Sequence, residues 1–180
     1  MREVGFTMFD TAIGRCAVAW SGRGVLAVQL PEEDDRLTRA RLTERYRHAR
    51  ETPPTPAVEQ VIAGIVALLR GEPVDFSSVE LDMEDVAPFP RRVYDAARRI
   101  PSGTTLSYGE IAARIGAPRS ARAVGQALGR NPLPILVPCH RVLAAGGRPG
   151  GFSANGGVAT KLRLLAIESA HRKSAGASAL

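Results

Sequence analysis

The sequence predicts an α/β amino-terminal domain, a short antiparallel sheet plus helices, followed by a mostly helical carboxy-terminal domain with a helix-turn-helix. Three observations predict it. Short runs rich in residues that suit a pleated surface open the chain, two helix-patterned stretches follow, and from residue 89 the apolar spacing is helical throughout. At 180 residues the chain suffices for one ordinary domain or two small ones sharing an interface, and the boundary is placed near residue 80, giving units 1–80 and 81–180.

The runs "VGFTMF" (4–9), "GRCAVAW" (14–20) and "VLAVQL" (25–30) read as strands, separated by the turn compositions "DTAIG" and "SGRG". Residues 32–50 have helical spacing with a charged face. "ETPPTP" breaks that pattern, and 57–71 is a second helix ending at Gly71. Residues 72–90 form a connection. A helix over 90–100 starts on Pro90 and carries Val93, Ala96, Ala97 and Ile100 along one face. In "SYGEIAARIG" Ser107 and Glu110 have capping-box spacing, Gly116 ends the helix, and Ser120 is placed to cap "ARAVGQALGRN". Two short helices across a tight turn resemble a helix-turn-helix. The tail from about 172 has a disordered composition.

Charge is segregated. Residues 1–90 hold 10 basic and 15 acidic side chains, whereas 91–180 hold 14 basic and 3 acidic, within an overall +6. A basic second half suggests a polyanionic partner, nucleic acid first. The longest apolar runs are too short to cross a bilayer and no signal segment is visible, so no membrane partner is expected, and the protein is expected to be cytoplasmic (nucleoid-associated if bacterial). Cys16 and Cys139 are too few for a disulfide scaffold and lack metal-ligand spacing, so no metal or cofactor is expected. Cys16 reads as a buried strand residue.

Cys139 is different. It ends the apolar run "NPLPILVP" and sits against His140 and Arg141, groups that titrate and carry charge. It is either a nucleophile or a small core residue beside a histidine. Upstream, Ala121, Ala123, Gly125 and Ala127 leave little bulk around Arg122. That pattern fits close helix packing, or a helix slim enough for its backbone to approach a groove.

"PCHRV" after "NPLPILV", preceded by "SYGEIAARIG…ARAVGQALGRNP" and followed by "LLAIE", resembles the O6-alkylguanine-DNA alkyltransferases, the methylated-DNA–protein-cysteine methyltransferases. The likeness is close over residues 89–170 and looser over the strand-rich start. It implies a self-inactivating transfer in which an O6-alkyl group moves irreversibly to Cys139. By resemblance His140 takes the thiol proton through a water, Glu168 orients the imidazole, and Asn131 holds the turn before the active-site loop. The second helix of the motif would enter the minor groove of double-stranded DNA containing O6-alkylguanine, its small residues Ala121, Ala123 and Gly125 permitting the approach. Arg122 would replace the extruded base, Tyr108 would crowd the adjacent phosphate, and Arg130 would also contact DNA. Val137, Pro138, Arg141, Phe152 and Ser153 would form the base pocket. A monomer is expected.

Two features depart from the family pattern. Phe152 stands where members usually have tyrosine, and the segment from Ser153 to Thr160 is longer than the commonest version. The rival reading is a sensor of alkylated DNA, or a member with altered substrate range. Sensors of this type lack the acceptor cysteine, and this chain keeps it.

Overall fold

The computed structural model describes the backbone of residues 2–177 and the side chains of residues 2–169. Strands β1 (Gly5–Thr11), β2 (Gly14–Ser21) and β3 (Gly24–Gln29) form an antiparallel meander with β2 in the middle. Side chains alternate across the sheet. Cys16, Val18 and Trp20 face the main core, while Ala17 and Ala19 face helix α1 (Asp35–Arg45), where Leu42 packs with Phe6 and Leu26. Burial on both faces explains why "CAVAW" shows no polar alternation.

The first helix is shorter than the predicted 32–50. Asp34 caps it by accepting from Leu37 N at 2.7 Å, and it ends at Arg45. The residues freed at its end supply β4 (Arg50–Glu51), which pairs parallel to β1 and gives the order β3-β2-β1-β4. The sheet is therefore mixed rather than antiparallel. The cause is α1, a crossover that brings the chain back in the direction of β1. Two prolines, Pro53 and Pro54, follow and have no N–H with which to extend the ladder. Helix α2 (Pro56–Leu69) starts on a Thr55 cap with proline in its first turn, and buries Val58, Val61, Ile65 and Leu68 against the other face.

The connection after α2 runs beside β3, with Val25 N donating to Glu80 O and Asp82 N to Val25 O. Helix α3 (Pro88–Ala97) begins two residues before Pro90, because Pro88 also suits a first-turn position. Tyr94 on α3 donates its hydroxyl to Ala127 O at 2.7 Å, which ties α3 to the helix that carries Ala127. β5 (Leu106–Ser107) leads directly into α4 (Tyr108–Arg114), where the capping box forms: Glu110 N donates to Ser107 Oγ and Ser107 N to Glu110 Oε2. Gly116, at φ 73°, closes the helix, with its own N–H on Ala113 O and that of Ala117 on Ala112 O.

Helix α5 (Ala121–Gly129) departs from expectation at its start. Ser120 makes no side-chain cap. Its ψ of 22° is not the extended value that aims a hydroxyl at the N2 and N3 amides, so only its carbonyl serves the helix, accepting from Val124 N. β6 (Val142–Leu143) pairs parallel with β5, a small second sheet within the otherwise helical half. It fixes the start of α4 beside the residues that follow Cys139. Helix α6 (Val158–Ala177) runs past residue 172, where composition pointed to disorder. Extending a formed helix has no nucleation cost, and Ala, Arg and Lys are good helix formers. Residues 178–180 of that tail lie outside the described residues.

Candidate active site

Residues 132–138 are buried without a break, so the apolar run passes through the core and delivers Cys139 at its end. The passage requires a sharp turn. Ile135 has φ 74°, a value β-branched residues rarely adopt and one that costs roughly 1–3 kcal/mol. Asn131 holds the turn from both sides: its Oδ1 accepts from Leu133 N and its Nδ2 donates to Val137 O, each at 2.9 Å. Asn131→Ala is expected to leave those backbone groups unpaired and lower stability by roughly 1–3 kcal/mol, measurable by urea unfolding.

Cys139, His140 and Arg141 form one 3₁₀ turn. With about three residues per turn, successive side chains leave in three directions. Arg141, predicted to line the base pocket, instead turns inward. Its Nε and Nη2 donate to Glu168 at 2.7–3.1 Å, and its Nη1 donates to Ile100 O at 2.7 Å. Val137 is fully buried in the main core, and Pro138 lines a separate groove with Ile100 and Arg141. Of the five predicted pocket residues, Phe152 and Ser153 line two cavities that contain Cys139.

Glu168 on α6 sits between the Arg141 guanidinium and the His140 ring. Its Oε1 also accepts from His140 Nε2 at 2.8 Å, and both side chains are buried. Burial opposes the charged carboxylate, yet the His140 and Arg141 hydrogen bonds hold its pKa at about 2. Facing a carboxylate, Nε2 carries the imidazole proton, which leaves Nδ1 as the lone-pair nitrogen. That Nδ1 is buried and has no hydrogen-bond partner among the described residues. Burial pushes the His140 pKa below its ordinary value, further than Glu168 raises it, so the ring is a neutral base at pH 7. Burial pushes the Cys139 thiol up, while a hydrogen bond from Asn131 and the positive charge of Lys161 pull it down.

A cavity of about 460 Å³ contains Cys139 and is walled by Tyr108, Ala121, Arg122, Gly125 and Phe152, among others. Here α4 contributes Tyr108 at its start, and α5 contributes a face that runs from Ala121 to Gly129. Arg122 is exposed and has no hydrogen-bond or ion-pair partner among the described residues. Ala123 is half-buried on the same helix and lines no cavity with Cys139, and Arg130 borders a second crevice described below.

Two residues went unnoticed in the sequence. Lys161, one of only two lysines, is fully buried; its Nζ donates to Val142 O at 2.7 Å and lies 5.7 Å from the centre of the Tyr108 ring. Gly150, at φ 70°, passes so close to Tyr108 that a Cβ would lie 2.6 Å from the phenol oxygen. Only a glycine fits there. Cys16 is buried with its thiol pushed up to about 12 by desolvation, an inert strand residue.

Comparison with known proteins gives this arrangement a context. Residues 88–170 match the family model described as 6-O-methylguanine DNA methyltransferase, DNA binding domain. The methylated-DNA–protein-cysteine methyltransferase of Methanothermobacter thermautotrophicus is 41% identical over 151 residues, covering 84% of this chain and 77% of that protein. The protein of the same name from Mycobacterium bovis is 44% identical over 135 residues, covering 73% and 79%. The crystal structure of Mycobacterium tuberculosis OGT in complex with DNA superposes with a TM-score of 0.77 at 35% identity, over 93% of this chain and 94% of that one. With likeness over most of both chains, and with a thiol and an imidazole on one turn and a carboxylate from α6 bonded to that imidazole, the chain belongs to the methylated-DNA–protein-cysteine methyltransferase family.

Proposed function

We propose that the protein repairs O6-alkylguanine in duplex DNA by moving the alkyl group to Cys139, one group per molecule. The observation that carries this reading is the buried, unpartnered Nδ1 of His140, on the same turn as a thiol, with its Nε2 fixed on Glu168. A water bridging Cys139 Sγ and Nδ1 carries the thiol proton to the imidazole. The thiolate attacks the alkyl carbon, a C–S bond forms, and the C–O6 bond breaks with its electron pair on guanine. The proton that left the thiol ends on guanine. A thioether does not reverse, so no step regenerates the thiol.

The target carbon lies inside a stacked duplex, and the nucleotide must leave the stack to reach the cavity at Cys139. In this reading α4 and α5 act as a helix-turn-helix, with α5 in the minor groove and Ala121, Ala123 and Gly125 permitting close approach. Unpartnered Arg122 fills the gap left by the base, and Tyr108 presses on the neighbouring phosphate. The aromatic wall of the pocket is Phe152. The protein acts as a monomer.

The test is mass spectrometry after incubation with an O6-methylguanine duplex. One methyl on Cys139 is expected. Unchanged protein, or product beyond one equivalent, overturns the reading. For Arg122→Ala, unassisted extrusion costs a few kcal/mol, so transfer from duplex should slow by about 10- to 1,000-fold. Free O6-benzylguanine needs no extrusion and should react at close to the wild-type rate. Equal slowing of both substrates would make Arg122 a structural contact.

A further inference from the structure

Cys139 also lines a second crevice, of about 190 Å³, whose other walls come from β3, α1, the turn after α5 and residues 152–154. Its charged lining residues are Arg41 and Arg45 on α1 and Arg130 at the carboxy end of α5; among the described residues no carboxylate lines it. Arg39 on the same helix pairs with Glu51, and Arg15 on β2 pairs with Asp35. Arg41 only approaches Glu32, at 3.8 Å, and its side chain stays 63% exposed. Arg45 and Arg130 have no ion-pair partner among the described residues.

Arg41 and Arg45 are four residues apart, so they share one face of α1. Like charges at that spacing weaken a helix by a few tenths of a kcal/mol. With Arg130 brought alongside by the tertiary fold, three arginines line one crevice, and among the described residues their one ion pair is the long Arg41–Glu32 contact at 3.8 Å. Such a cluster suits an anion, and planar guanidinium forks match a phosphate in particular. Their exposure places them at the mouth, whereas Leu30, Pro134 and Phe152 contribute apolar lining beside the thiol.

We propose that Arg41, Arg45 and Arg130 grip a backbone phosphate of the strand whose nucleotide enters the Cys139 cavity, which makes α1 part of the DNA-binding surface. The inference rests on the reading above and extends it to a half of the chain whose net charge is negative. A basic tally over residues 91–180 could not find it. Net charge averages over a segment, while a phosphate contact needs two or three cations at one place.

The experiment measures the affinity of Arg41→Gln/Arg45→Gln for unmodified and O6-methylguanine duplexes across a salt series. Each phosphate contact contributes about 0.9 to the slope of log K against log salt. The double variant should lose about one unit of slope and about tenfold in affinity at low salt, equally on both duplexes. Arg41→Lys/Arg45→Lys keeps the charge and should keep most of the slope, which guards against a folding defect in the first variant. Arg70→Gln removes one positive charge outside the crevice, where Arg70 pairs with Glu72, and should keep the wild-type slope. An unchanged slope in the double variant overturns the proposal, as does an equal loss in Arg70→Gln. Slower transfer confined to an O6-carboxymethylguanine duplex, with the slope unchanged, also overturns it, because the arginines would then serve an anionic alkyl group. Methyl transfer to wild-type Cys139 is scored separately, so this inference can fail while the proposed function stands.

Discussion

Cys139→Ala is expected to bind alkylated duplex and never clear it. The side chain removed is small and at the edge of the core, so folding should survive with a cost of about 1 kcal/mol for a lost buried atom. The helices, arginines and cavity that would hold DNA are untouched. Transfer, however, has no second acceptor. Cys16 is sealed in β2, and burial keeps its thiol protonated, so it cannot substitute. Gel-shift titration should give near wild-type affinity, while mass spectrometry finds no alkyl on the protein and the lesion persists in the DNA. Stoichiometric clearance by Cys139→Ala would remove Cys139 from the mechanism. Cys16→Ala should transfer normally.

Glu168→Gln carries the other large effect, in two measurable parts. Glu168 is the charge partner of buried Arg141 and the hydrogen-bond partner of buried His140. Removing one member of a buried pair leaves the other charge uncompensated, which costs about 3–5 kcal/mol in unfolding free energy. Activity should fall as well. Without the carboxylate, the imidazolium that forms when His140 takes the thiol proton loses its stabilisation, a loss of about 10²–10⁴-fold at pH 7. Raising the pH forms thiolate unaided, so the variant should recover part of its rate at high pH. A rate equally low at high pH would assign Glu168 a structural role alone.

The acid limb follows with a definite sign. The Glu168 pKa is depressed to about 2, so its stabilising contribution is complete above the ordinary carboxylate value near 4.3 and is lost as pH falls from there toward 2. His140 is held neutral below its ordinary value near 6.5, and folding therefore weakens as pH drops through that value and the unfolded chain takes up the proton. Urea unfolding across pH should show both losses in wild type. Glu168→Gln should lack the one between 4.3 and 2.

The sequence by itself determined the elements whose causes are local. Strands β1 to β3 lie where the β-rich runs stop at turn residues. The Ser107–Glu110 box closed because both partners sit within one helical turn. Gly116 ended α4 because it alone tolerates the left-handed backbone required there. The family resemblance marked the chemistry, since cysteine, histidine, asparagine and a distant glutamate were all nameable. Tertiary structure decided the rest. Whether Ser120 capped α5 depended on a ψ imposed by the preceding turn. β4 became a parallel edge because α1 crosses the sheet, which no two-residue run announces. The resemblance placed Arg141 in the base pocket, yet the 3₁₀ turn sends it to Glu168 and Ile100. Lys161 carries no motif, and its burial under Tyr108 exists only once α6 is packed. Arg130 lies 89 residues from Arg41 and 85 from Arg45 in sequence, and the three share one crevice only in the fold. Local sequence sets backbone preferences over a turn or two, whereas the direction of a side chain and its neighbours are set by the packing of distant segments.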